Sequence, residues 1–134
     1  MQFYDKQFTY YNKLEVEDYL KEVLTHVAKL FEDSFEKEKT AALILIGGYG
    51  RGEGGIVFKD NHYRPHNNLD LLYIHSGALD KESIEKVDQE LQKIAQKYEI
   101  GIDMSPMNKE KLLSLNGFVM HYDMRFGHRT LLGD

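Results

Sequence analysis

Ala41-Ala42-Leu43-Ile44-Leu45-Ile46 form an unbroken apolar run that ends directly on Gly47-Gly48. Such a run, bounded by glycine, reads as a buried strand. The glycines then constrain what can sit at its end. Glycine has no Cβ and accepts dihedrals closed to other residues, so bare backbone N–H groups can approach a ligand. Tyr49-Gly50-Arg51-Gly52-Glu53 follows, and the natural guest for converging N–H groups beside an arginine is a phosphate.

Two later segments sharpen this expectation. Asn68-Leu69-Asp70 opens a second apolar run, Leu71-Leu72-Tyr73-Ile74, and Asp103 sits within Ile100-Gly101-Ile102-Asp103-Met104. Side chains two apart on a strand share a face, so Asn68 and Asp70 point together. On the third strand Asp103 and Gly101 face one way, and Ile100, Ile102 and Met104 the other. If the two strands are neighbours, the carboxylates converge and Gly101 leaves space beside them. Acids within apolar strand runs are uncommon without a partner.

The rest of the chain supplies helices. Val16, Leu20, Val23, Leu24, Val27, Phe31 and Phe35 recur at helical spacing and predict an amphipathic helix over 12–39, with Asn12 and Glu15 as a capping box. Asp80 reads as the N-cap of a second helix through Lys97, with Ile84, Val87, Leu91, Ile94 and Ala95 facing inward. Strands are expected at 41–46, 56–58, 69–75, 98–104 and 129–132, and a loop at 59–67. Ser105-Pro106 reads as the start of a further helix, stopped by Asn116-Gly117. The first two main strands are joined by loop and expected antiparallel; the next is reached through a helix and expected parallel. The sum is an α+β domain, a mixed β-sheet with helices packed against it.

Composition narrows the function. At 134 residues, 42% of them hydrophobic, the chain is one domain with a core of its own. A net charge of −5 argues against a nucleic-acid partner and for a small molecule or a protein. No cysteine is present, which excludes disulfides, thiolate metal sites and cysteine nucleophiles. No apolar stretch reaches membrane-span length and Met1 to Lys6 do not read as a signal peptide, so the expected location is cytoplasmic. His62 and His66 are four apart, but Pro65 between them argues against a helical zinc pair. His75 ends the strand that carries Asp70. Gly50 to Gly55 also match Gly-x-Gly-x-x-Gly, yet residues 56–67 cannot supply the helix a dinucleotide fingerprint needs. No Gly-Lys-Ser/Thr is present, which excludes a Walker loop.

Gly47-Gly48 at a strand end, Asn68-Leu69-Asp70 on the next main strand and Asp103 on a later one together resemble the nucleotidyltransferase superfamily. That fold is shared with DNA polymerase β and the aminoglycoside nucleotidyltransferases. Gly50-Arg51-Gly52-Glu53 is similar to an extension seen in bacterial members, including minimal nucleotidyltransferases of toxin–antitoxin pairs. The resemblance spans residues 41–104 and departs from the pattern once: Asn68 stands where the first acid of Asp-x-Asp is expected.

The resemblance implies Mg²⁺- or Mn²⁺-dependent transfer of a nucleoside monophosphate from a nucleoside triphosphate to a hydroxyl of a small molecule or protein. It assigns phosphate contacts to Gly47, Gly48 and Arg51, with Glu53 holding the loop. Asp70 becomes a metal ligand, Asp103 a metal ligand or the base, and Asn68 a weakened ligand, because an amide oxygen brings no charge. The alternative is a degenerate relative that binds a nucleotide or a partner protein without turnover, as a regulatory or antitoxin-like module. A homo-oligomer or a partner protein is compatible with either. Many relatives continue into a helical domain, so residues 1–134 are expected to be a single domain, or the N-terminal part of a longer architecture.

Overall fold

A computed structural model describes residues 7–9, 13–50, 52, 54–59, 61–65, 68–114 and 129–133. Helix α1 spans Leu14–Ser34, strand β1 Thr40–Ile46, and a single helical turn, α2, Gly47–Gly50. Strands β2 (Ile56–Lys59) and β3 (His62–Pro65) follow, then β4 (Leu69–His75), α3 (Lys81–Tyr98), β5 (Ile102–Asn108), α4 (Lys109–Ser114) and β6 (Arg129–Gly133).

Four strands form the main sheet in the order β5-β4-β1-β6. β1 pairs antiparallel with β4 and β6, while β4 and β5 run parallel, as their helical connection predicts. The apolar stripes of α1 and α3 join Leu43, Leu45, Leu69, Leu71 and Tyr73 in one core. Ala42, Ile44, Leu72 and Ile74 form a second buried cluster. Successive strand residues point to opposite faces, so β1 and β4 are buried on both. That double burial is why residues 41–46 and 71–74 are continuously apolar rather than alternating.

Local chemistry sets the boundaries, in places against expectation. Helix α1 starts after Lys13, which makes no side-chain cap, and Glu15 accepts the Tyr63 N–H at 3.3 Å, while Asn12 of the expected capping box lies outside the described residues. The helix stops at Ser34, not Lys39, because Phe35 turns extended and stacks on Tyr73 with ring centroids 4.7 Å apart. Residues 62–65, expected as loop, pair with β2 in a hairpin, Phe58 opposite Tyr63. β5 runs to Asn108, through the Ser105-Pro106 pair expected to open a helix. β5 is an edge strand, where a proline's missing N–H leaves no ladder bond unmade. Helix α3 begins as expected: Asp80 accepts the Glu82 N–H at 3.2 Å and the Ser83 hydroxyl at 3.2 Å. The expected stop at Asn116-Gly117 lies outside the described residues.

Candidate functional site

Antiparallel pairing of β1 and β4 brings the end of β1 beside the start of β4, placing Ile46 opposite Asp70. Parallel pairing of β4 and β5 places Asp70 opposite Asp103, and Leu69 opposite Ile102. Leu69 and Ile102 are buried beneath the sheet, so the alternation turns both aspartates outward, where they are exposed. Asn68 stands one residue before β4 and is also exposed. The Leu69 N–H donates to the Gly101 carbonyl at 2.8 Å, closing the register just ahead of the aspartates.

Two glycines make room for these side chains. Gly47 has φ +75°, and a Cβ there would lie 2.8 Å from Asp70 Oδ2. The carboxylate therefore rests on the first residue of the glycine loop. A Cβ at Gly101 would collide with Asn68 Oδ1, so the amide fills the space that glycine leaves. Asn68 Nδ2 donates to Asp103 Oδ2 at 3.3 Å. The amide thus faces its neighbouring acid as a donor and offsets part of its charge.

The electrostatics follow from this crowding. Burial raises the Asp70 pKa above the usual aspartate value, and the Asp103 charge beside it raises it further. Two like charges sharing a partly desolvated corner have the chemistry of a divalent-cation site, with hard oxygen ligands and unbalanced negative charge. Among the described residues, no group of three or more His, Asp or Glu side chains could hold a metal ion. The side-chain oxygens and nitrogen gathered here belong to two carboxylates and one amide.

No protein-family model matches the chain, and no curated protein does. Solved structures do. The complex of tri-AMPylated Shewanella oneidensis HEPN toxin with MNT antitoxin contains a chain that aligns with a TM-score of 0.50 at 16% identity, covering 85% of this chain and 72% of that one. A toxin–antitoxin structure with AMP-PNP gives a TM-score of 0.52 at 18% identity, covering 83% and 73%. A mutant of the MntA–HpeT toxin–antitoxin pair gives 0.51 at 16%, again covering 83% and 73%.

This chain has the minimal-nucleotidyltransferase fold.

In that fold, the other residues singled out by sequence occupy distinct places. Gly48 lies in the α2 turn beside Gly47. Tyr49 is buried, as a packing residue should be: its ring fills the space a Gly54 side chain would need, and its hydroxyl donates to the Gly55 carbonyl at 2.9 Å. Arg51 and Glu53, like His66, lie outside the described residues. His75 is not near the aspartates. It ends β4 five residues after Asp70, about 16 Å along the strand, and is buried with Nδ1 at 2.8 Å from the Gly77 carbonyl.

Sequence reasoning missed two buried charged residues of the nucleotidyltransferase fold, Glu17 on α1 and Arg129 on β6. Glu17 carried a signal. It precedes Leu20 and Leu24 by three and seven residues, placing an acid on the apolar stripe of α1. Arg129 carried none, because its partners are distant in sequence.

Proposed function

We propose that this chain binds a nucleoside triphosphate with Mg²⁺ or Mn²⁺ and transfers the nucleoside monophosphate to a hydroxyl, on a protein or a small molecule. One observation carries the reading: Asp70 and Asp103 stand side by side in register, and Asp70 rests on the glycine that opens the loop. In this reading Asp70 and Asp103 hold the ion, with Asn68 as a weak third ligand. The ion, when bound, supplies charge to offset the triphosphate. Backbone N–H groups of Gly47 and Gly48, with Arg51, take phosphate oxygens, and Glu53 steadies the loop. Asp103 takes the proton of the acceptor hydroxyl. The acceptor oxygen bonds to the α-phosphorus while the bond to the pyrophosphate oxygen breaks.

The structural neighbours support ATP and a protein acceptor. One was solved with AMP-PNP, and another is a complex whose toxin is AMPylated. A second reading has its own support. Asn68 donates to Asp103 at 3.3 Å, occupying a carboxylate that the ion would need. A carboxylate already hydrogen-bonded by the neighbouring amide suits a module that binds nucleotide or a partner protein without turnover. No helix among the described residues is long and apolar enough to cross a membrane.

Calorimetric titration with ATP and the other three nucleoside triphosphates, with and without Mg²⁺, tests both readings. Metal-dependent binding is expected, abolished in Asp70→Ala. With α-labelled nucleotide, the enzymatic reading requires label on an acceptor. Asn68→Asp should then tighten metal binding by roughly tenfold and increase transfer. Binding without transfer in both proteins selects the second reading. No nucleotide binding under any condition removes the nucleotide from both.

A further inference from the structure

The buried carboxylate of Glu17 lies on α1, yet its ligands belong to the chain segment that supports the glycine loop. It accepts the Phe8 N–H at 2.6 Å, the Thr9 N–H at 3.0 Å and the Thr9 hydroxyl at 2.6 Å. A buried acid with three donors is held firmly, because losing any of them leaves charge without compensation. Phe8 and Thr9 pass that position on. The Phe8 carbonyl accepts the Gly54 N–H at 3.0 Å, and Thr9 pairs with Gly54 in a parallel bridge.

From Gly54 the contacts continue inward. The Tyr49 ring packs where a Gly54 side chain would be, and its hydroxyl holds the Gly55 carbonyl. Tyr49 belongs to the α2 turn, whose first residue, Gly47, touches Asp70. A second clamp closes the same segment from β6. Arg129 donates to the Gln7 carbonyl and lies 4.1 Å over the Phe8 ring. A Cβ at Gly52 would lie 3.0 Å from the Gln7 carbonyl oxygen and 3.5 Å from Arg129 Nη2. The loop therefore has a solid floor, built from residues 7–9 and anchored on Glu17 and Arg129.

We infer that Glu17 is a positioning residue for the nucleotide site: through residues 7–9 it sets the seat of the glycine loop against Asp70, and thereby the affinity for the triphosphate. This rests on the proposed function for its ligand, but the seat itself can be tested without one. Two variants serve. Glu17→Gln replaces an acceptor by a donor facing N–H groups. Thr9→Val removes the hydroxyl that donates to Glu17 and keeps the side-chain shape.

Amide hydrogen exchange in the unliganded protein is the first readout. In both variants the Gly54 N–H should exchange at least about tenfold faster, while amides of Leu71 and Leu72 in the central sheet stay protected. The second readout is the Kd for ATP with Mg²⁺, expected to rise by about tenfold, because small misplacements of positioning groups are costly. Retained protection at Leu71 and Leu72 separates this outcome from general unfolding. Unchanged Gly54 exchange in both variants would overturn the inference, as would faster exchange with an unchanged Kd. If the wild-type protein binds no nucleotide, the proposed function fails and the affinity half of the inference fails with it. The Gly54 exchange still decides whether Glu17 sets the loop.

Discussion

Asp70 is held at a pKa above the ordinary aspartate value by burial first and by the charge of Asp103 second. The sign of the consequence is definite. A carboxyl whose folded pKa is raised binds its proton more tightly in the native state, so its stabilising contribution is complete below the unfolded pKa and is lost as pH rises through the folded one. At neutral pH the ionised Asp70 therefore works against folding. Asp70→Asn should raise the melting temperature at pH 7, with the gain shrinking as pH falls through the carboxylate range. Thermal unfolding of both proteins at several pH values reads this out; a gain independent of pH, or a loss at neutral pH, would contradict the electrostatic account. Metal binding runs the other way, since it needs the ionised form. The positions of Asp70 and Asp103 were legible because strand side chains alternate, a rule local to each strand. The hydrogen bond from Asn68 to Asp103 was not, because it depends on how two strands align.

At the level of elements, β1, β4 and α3 were legible because burial pattern and end chemistry agree. β1 from Ala41 to Ile46 and β4 from Leu71 to Ile74 are unbroken apolar runs, and α3 has an inward stripe of Val87, Leu91 and Ala95 with Asp80 at its head. The hairpin and the end of β5 were not. His62-Tyr63-Arg64-Pro65 is polar and ends in proline, which reads as loop, yet it pairs with Ile56–Lys59. Ser105-Pro106 is a good helix start by composition, but its place on an edge strand removes the penalty for proline. The cap that starts α4 is Asn108, whose side chain accepts the Glu110 N–H at 2.9 Å and the Lys111 N–H at 3.1 Å. A cap prediction tests whether these assignments carry energy. Asp80→Ala frees the Glu82 N–H and the Ser83 hydroxyl and should cost about 1 kcal/mol in urea denaturation. Leu91→Ala, which opens a cavity beneath the same helix, should cost about 2–5 kcal/mol. A cap loss as large as the core loss would mean that Asp80 supports more than the end of α3.

At the scale of the molecule, the site sits where independent constraints meet. The sheet brings the exit of β1 and the starts of β4 and β5 to one end. Residues 7–9 then tie the loop at that end to α1 and β6. Loop and core are thus joined, and a ligand gripping the loop and the aspartates should stabilise the whole fold rather than one segment. For a ligand that binds only the native state, stability grows as RT ln(1 + [L]/Kd), about 2.7 kcal/mol at a hundredfold excess over Kd. For a domain of this size that corresponds to a rise of several degrees in melting temperature, roughly 5–15 °C. The expected observation is a single cooperative transition that moves upward with the logarithm of ATP concentration when Mg²⁺ is present. Without Mg²⁺, or in Asp70→Ala, it should stay near the unliganded temperature. A shift that persists in Asp70→Ala would place the nucleotide away from the aspartates. A transition that splits in two on ligand addition would show that the loop and its floor melt apart from the sheet.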